Sequence, residues 1–185
     1  MNRREPPAPL KLITVCTGNI CRSPMAQAVL AARFAAERLD VSVDSAGVSS
    51  EEAGNPVDRR AARVLAAHGY PVPRHAAKLI SDRDLAGSDL VLPMTFAHYR
   101  ALRRQAAAAG ADPEIRMFRE FDPAADASAG STPAAGEASR PSARLDIVDP
   151  WYGGPADYER SLAEIERAVP GILAWARRAC ADGGR

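Results

Sequence analysis

The residues whose types and spacing could do chemistry lie together in Val15-Cys16-Thr17-Gly18-Asn19-Ile20-Cys21-Arg22-Ser23-Pro24. The segment reads as a strand that delivers a cysteine into a tight loop, which closes on an arginine and opens a helix. Such a loop is a cup for a phosphate dianion with a nucleophile at its base. A cysteine attacks as thiolate, and inward-pointing amides, a helix N-terminus and a guanidinium all favour that form. Cys16 is therefore the candidate nucleophile, passing through a phosphocysteine. Arg22 offers a planar fork to two phosphate oxygens, in the ground state and more so in the transition state. Ser23 can donate a hydrogen bond to the sulfur as it leaves. Thr17, Gly18, Asn19, Ile20 and Cys21 complete the candidate binding loop.

The bare spacing of cysteine and arginine decides little. Arginine supplies all but two, Lys11 and Lys78, of the 24 basic residues, so chance matches are frequent. The surroundings supply the specificity. Leu10-Lys11-Leu12-Ile13-Thr14-Val15 is a short, β-branched, apolar run of strand length. Gly18 lets backbone approach a ligand, and Asn19 tolerates a left-handed conformation. Ser23 as N-cap and Pro24 as first helical residue predict a helix, with Ala26, Leu30 and Phe34 on its buried face. An inert buried cysteine beside an ordinary helix-start arginine is the competing reading, and it leaves the loop chemistry unexplained.

This segment resembles the active-site loop of the low-molecular-weight protein tyrosine phosphatases, and the similarity runs from Leu10 to the last helix. The family's pattern ends in Asp-Pro followed by aromatics, matched here by Asp149-Pro150-Trp151-Tyr152-Gly153-Gly154. The resemblance implies that Asp149 is the general acid. A leaving phenolate needs a proton, which a carboxylic acid above the cup can give before activating water for the second step. It also implies Trp151 and Tyr152 as aromatic walls for substrate, Ser45 as a partner of the loop asparagine, and His75 as a supporting residue. His68 and His98 read as ordinary helix or loop residues. Departures from the family concern preference: Glu51 stands where an aromatic rim residue is common, and Trp151 replaces a tyrosine. Thr95 follows Met94 where relatives carry a supporting carboxylate. Ile20, where arginine phosphatases of the family carry threonine, would give an aromatic ring an apolar wall.

A chain of 185 residues and 19.7 kDa supports one domain with a substantial core. A net charge of +1 gives no electrostatic footprint for nucleic acid or a membrane surface. Residues 1–9 carry charge without an apolar stretch behind it, so a flexible leader is expected rather than a signal peptide. No run is long enough to span a bilayer. Three cysteines, two of them in the loop, suit a reducing cytoplasm, and Cys16 with Cys21 is a candidate reversible disulfide. No cofactor or metal is expected, the partners are phosphotyrosine-containing proteins as substrates, and a monomer or weak dimer is expected.

Apolar strand-like runs alternate with helical patterns. Strands are expected at 10–15, 41–44, 89–92 and 114–118, and helices after the loop, near 57–67, at 96–108 and near the C-terminus. Leu162, Ile165, Val169 and Ile172 give that last helix its stripe, with Pro170 as a kink. The alternation implies a single α/β domain over 10–182, a doubly wound parallel sheet of about four strands with helices on both faces. The candidate loop then falls at the carboxyl edge, where such sheets bind ligands. Residues 124–143 contain 16 Ala, Ser, Gly or Pro in 20 positions and no Leu, Ile, Val or aromatic residue, which predicts a disordered insertion.

Rival chemistries fit less well. No Gly-Lys-Ser/Thr phosphate loop occurs. An arsenate reductase of similar fold needs a further resolving cysteine pair, and only Cys180 is left over. A non-catalytic phosphate-binding module would have no need of Asp149. An arginine phosphatase of the same family is the nearest alternative.

Overall fold

Strand β1 (Leu10–Cys16) is buried at every position but Lys11, because it is paired on both sides and covered on both faces. It lies parallel to β2 (Val41–Gly47) on one edge and to β3 (Leu90–Pro93) on the other, and β3 carries the short β4 (Glu114–Ile115). The order is β2-β1-β3-β4, all parallel. The computed structural model describes residues 8–127 and 141–182. It is the single-domain α/β fold with a four-stranded parallel sheet that the sequence predicts.

The period-two alternation of β1 separates two cores. Leu10, Leu12 and Cys16 join a large cluster with Val29, Leu30 and Phe34 of α1 (Arg22–Ala36). Leu65 of α2 (Arg59–Ala67) and Leu162, Ile165 and Ile172 of α6 (Pro155–Ala181) belong to the same cluster. Ile13 and Val15 face the other way, onto Leu85 of α3 (Asp82–Ala86) and Leu102 and Ala106 of α4 (Phe96–Ala109). Both faces of the sheet are thus covered, as a parallel sheet requires.

Several boundaries differ from the sequence reading. β2 runs on to Gly47 because Ser45 and Ala46 pair with Thr14 and Val15. The expected 114–118 strand stops at Ile115, and Phe118–Phe121 form a 3-10 turn that buries Phe118 and Phe121. α2 starts at Arg59, capped by the Asp58 side chain, which accepts from Arg60 N and Ala61 N. α6 continues through Pro170 as one helix of 27 residues. Beside that proline, a side chain on Gly171 would collide with the Phe121 carbonyl, so only glycine lets the turn lie against α6. The expected insertion is ordered at both ends: Pro123–Ala127 form the short α5, and Ala143–Leu145 form a 3-10 turn. Asp122 explains the first, since its carboxylate accepts from Ala124 N at 2.9 Å. The remainder of that expectation, 128–140, and residues 1–7 of the expected leader lie outside the described residues.

Three connections meet at the carboxyl edge: the loop after β1, the segment after β2, and the start of α4 after β3. The segment leading into α6 joins them, since Ile147 N donates to Met94 O at 2.9 Å. Among the described residues no helix is long and apolar enough to cross a membrane.

Candidate active site

The loop after β1 is held by its neighbours on the edge. Cys16 O accepts from Val48 N and Thr17 O from Ser49 N, each at 3.0 Å. Gly47 makes this approach possible, because a Cβ there would lie 2.5 Å from Thr17 O. At the turn itself Asn19 adopts φ 57°, a left-handed conformation that asparagine tolerates. Its side chain is fully buried and fully used. Nδ2 donates to Ser23 Oγ at 2.9 Å and Ser45 Oγ at 3.0 Å, and Oδ1 accepts from Lys78 N at 3.0 Å. His75 Nε2 donates to Asn19 O at 2.6 Å, which fixes its tautomer, because a carbonyl can only accept. Ser45 passes its own proton on to Gln27 Oε1 at 2.7 Å.

Cys16 is 2% exposed, with its sulfur 3.0 Å from Ser23 Oγ. Asn19 already donates to that oxygen, so the Ser23 proton points either to the sulfur or to Ala46 O, which lies 3.3 Å away. The helix-cap role expected of Ser23 is not taken up. α1 begins at Arg22, its N-cap Cys21 makes no side-chain cap, and Ser23 turns its hydroxyl to the loop instead. Cys21 is buried beneath the loop, 3.6 Å from the Tyr158 hydroxyl, and burial pushes its thiol up to about 12.

Arg22 is 3% exposed, and its guanidinium is spread over three partners. Nη1 donates to Ile147 O at 3.2 Å, and Nη2 donates to Thr17 Oγ1 at 3.4 Å and to Asp149 Oδ2. Nε is buried with no partner among the described residues, a donor suited to an oxyanion. Asp149, half exposed, thus meets the guanidinium six residues from Cys16, and its Oδ1 accepts from Trp151 N at 3.1 Å. Nucleophile, clamp and carboxyl group come together although Arg22 and Asp149 are 127 positions apart in sequence.

The rim differs from the sequence reading. Trp151 is partly exposed, with the Arg60 guanidinium 5.4 Å from its ring centroid and 4.8 Å from that of Tyr158. Tyr152 is 96% exposed, so its ring packs against nothing that would hold it as a wall. Ile20 is 7% exposed and belongs to the main core, while its carbonyl accepts from Asp58 N at 2.8 Å. Its side chain is therefore mostly covered by the core, with a small part left accessible. Glu52 lies over Gly18, where a Cβ would come 2.9 Å from Glu52 Cγ, and Glu51 is exposed. Thr95 caps α4, accepting from His98 N at 3.2 Å, and Asp146 Oδ1 accepts from Phe96 N at 2.7 Å. A carboxylate therefore does reach this helix start, from a distant segment.

Sequence reasoning missed two residues here. Arg60 ties α2 to the loop bearing Asp149, through Nη1 to Trp151 O at 3.1 Å and Gly153 O at 3.5 Å. The doublet Arg59-Arg60 carries no signal that would separate one from the other. His98, read as an ordinary helix residue, is 5% exposed with Nε2 3.0 Å from Thr17 Oγ1. Its place in the first turn of a helix that follows a parallel strand was the available signal. Among the described residues no group of His, Cys, Asp and Glu is arranged to hold a metal.

Residues 11–180 match the family described as low molecular weight phosphotyrosine protein phosphatase. A low molecular weight protein-tyrosine-phosphatase of Streptomyces coelicolor is 40% identical over 165 residues, which is 88% of this chain and 91% of that one. Low molecular weight protein-tyrosine phosphatase A of Mycobacterium bovis is 37% identical over 178 residues, covering 95% and 97%. Among solved structures, a drosophila arginine phosphatase superposes with a TM-score of 0.74 at 25% identity, covering 89% of this chain and 96% of that one. With the family matched over almost the whole chain, and the loop, arginine and late Asp-Pro in one place, the protein belongs to the low molecular weight phosphotyrosine protein phosphatases and is an enzyme of that type.

Proposed function

We propose that the enzyme hydrolyses phosphotyrosine in proteins through a phosphocysteine on Cys16. The observation that carries this reading is Asp149 on the Arg22 guanidinium above a sulfur that Ser23 Oγ approaches to 3.0 Å. Phosphate bound on the loop amides and Arg22 brings phosphorus to Cys16 Sγ. The sulfur attacks, the bond to the phenolic oxygen breaks, and Asp149 gives that oxygen its proton. Water then attacks the phosphocysteine and loses a proton to Asp149, and Ser23 stabilises the departing thiolate. Thr17, Gly18, Asn19, Ile20, Cys21 and Ser23 form the binding loop, with Trp151 and Tyr152 on the substrate side. Ser45 and His75 support it through Asn19. The three free thiols accord with a reducing cytoplasm as the working compartment, and a monomer or weak dimer suffices because the site draws on one chain.

A second reading, hydrolysis of phosphoarginine, has one specific observation behind it. Glu52 packs over Gly18 with the exposed Glu51 next to it in sequence, and such carboxylates attract a cationic substrate, though weakly where solvent reaches them. Ile20 weighs against it, since a buried apolar side chain offers a guanidinium no acceptor. Assaying the purified enzyme against matched phosphotyrosine and phosphoarginine peptides decides between them. A higher kcat/KM for phosphotyrosine is expected, with Ile20→Thr moving the ratio toward phosphoarginine. A preference of the unmodified enzyme for phosphoarginine would overturn the assignment of substrate.

A further inference from the structure

His98 lies in the first turn of α4, buried against the loop that precedes Arg22. Its Nε2 is 3.0 Å from Thr17 Oγ1, and its Nδ1 is buried with no hydrogen-bond partner among the described residues. Thr17 Oγ1 also accepts from Arg22 Nη2 at 3.4 Å. Burial first, and the Arg22 charge second, push the imidazole down to about 4, so at neutral pH the ring is uncharged and carries one proton.

The place of that proton decides what Thr17 can do. On Nδ1, it would be a buried N–H without an acceptor, while Nε2 accepted the Thr17 proton. On Nε2, only a lone pair of Nδ1 goes unused, the less costly of the two arrangements. A hydroxyl has two lone pairs and one proton. With Arg22 and His98 both donating to Thr17 Oγ1, both lone pairs are taken and the proton is unclaimed.

We propose that His98 is a positioning residue for the phosphate site: as the Nε2–H tautomer it donates to Thr17 Oγ1 and leaves the Thr17 hydroxyl to donate to a phosphoryl oxygen on Arg22. Thr17 thereby becomes a side-chain donor in a loop whose other contacts to the anion come from amides and the guanidinium. The inference rests on Arg22 acting as the phosphate clamp.

Nitrogen NMR of the His98 ring in the unmodified enzyme, assigned by comparison with His98→Gln, tests the tautomer without any assay of turnover. A proton on Nε2 at neutral pH, with vanadate bound and without, is expected. A proton on Nδ1 or on both nitrogens would overturn the proposal. In kinetics, His98→Phe should lower kcat/KM for an aryl phosphate roughly tenfold, the equivalent of one positioned hydrogen bond. His98→Gln, whose amide can donate, should recover most of that loss. Thr17→Val should make the His98→Phe substitution nearly silent. Losses that multiply in the double variant, or full activity of His98→Phe beside an inactive Cys16→Ser, would remove His98 from this role while the phosphatase reading stood. Activity retained in Cys16→Ser would instead strike the phosphatase reading.

Discussion

Arg60→Ala separates the loop that carries Asp149 from the loop that carries Cys16. Arg60 reaches the former through Trp151 O at 3.1 Å, Gly153 O at 3.5 Å and the Trp151 ring at 5.4 Å, and among the described residues it makes no hydrogen bond to the latter. The first hydrogen bond is of ordinary length, the second is at the limit, and the ring contact is partly solvated. Together they hold the Asp149 loop by about 1–2 kcal/mol. Asp58, the side-chain cap of α2, keeps its backbone bonds, so the global fold should change little. Turnover of aryl phosphates with poor leaving groups should fall roughly five- to thirtyfold, since a misplaced acid fails to protonate them. The loss should shrink for leaving groups that depart without a proton, and vanadate, assigned under the proposed function to the Cys16 loop and Arg22, should inhibit about equally well. The assay is a series of aryl phosphates of graded leaving-group acidity, with vanadate inhibition measured on the same samples. An equal loss across the series, or a matching loss of vanadate affinity, would refute this division of labour.

Asp149→Ala should depress kcat by roughly two to four powers of ten for poor leaving groups and much less for good ones, and a loss independent of leaving group would make Asp149 only structural. Stability should respond to His98, whose imidazole is lowered from 6.5 to about 4 on folding. The unfolded chain then binds more protons between these values, so stability falls as pH drops through that window, by about 3 kcal/mol in all. Urea unfolding at pH 7 and pH 4.5 should show a smaller difference for His98→Phe than for the unmodified protein, and equal differences would contradict the assignment. Mild peroxide should produce a Cys16–Cys21 disulfide, two hydrogens lighter by mass spectrometry and reversed by thiol. Because burial holds the Cys21 thiol up to about 12, closure should quicken as pH rises, and over-oxidised Cys16 beside free Cys21 would exclude the switch.

The parallel sheet and the loop were legible because their signals are local. β1 is one apolar run, and Gly18, Asn19 and Arg22 follow it at fixed offsets, so strand, turn and helix are written in consecutive residues. The late Asp-Pro was legible only through the family's pattern, since nothing local brings Asp149 to Arg22. What stayed hidden depends on residues distant in sequence. His98 is 81 positions from Thr17, and Arg60 is 91 from Trp151, so only the assembled sheet edge brings either pair together. Ser23 was misread because a serine before a proline matches the cap pattern, and a cap signal cannot tell that the hydroxyl is already claimed by Asn19 and the Cys16 sulfur. Composition marked 124–143 as unable to pack, yet a single carboxylate, Asp122, orders the residues that follow it.

Trapping the covalent intermediate tests the central claim most directly. Acid quenching during turnover of an aryl phosphate, followed by digestion and mass spectrometry, should place one phosphoryl group on the peptide bearing Cys16, and Cys16→Ser should show neither turnover nor that phosphothiolate. Turnover without any phosphorylated cysteine, or a phosphoryl group carried on another residue, would contradict the account.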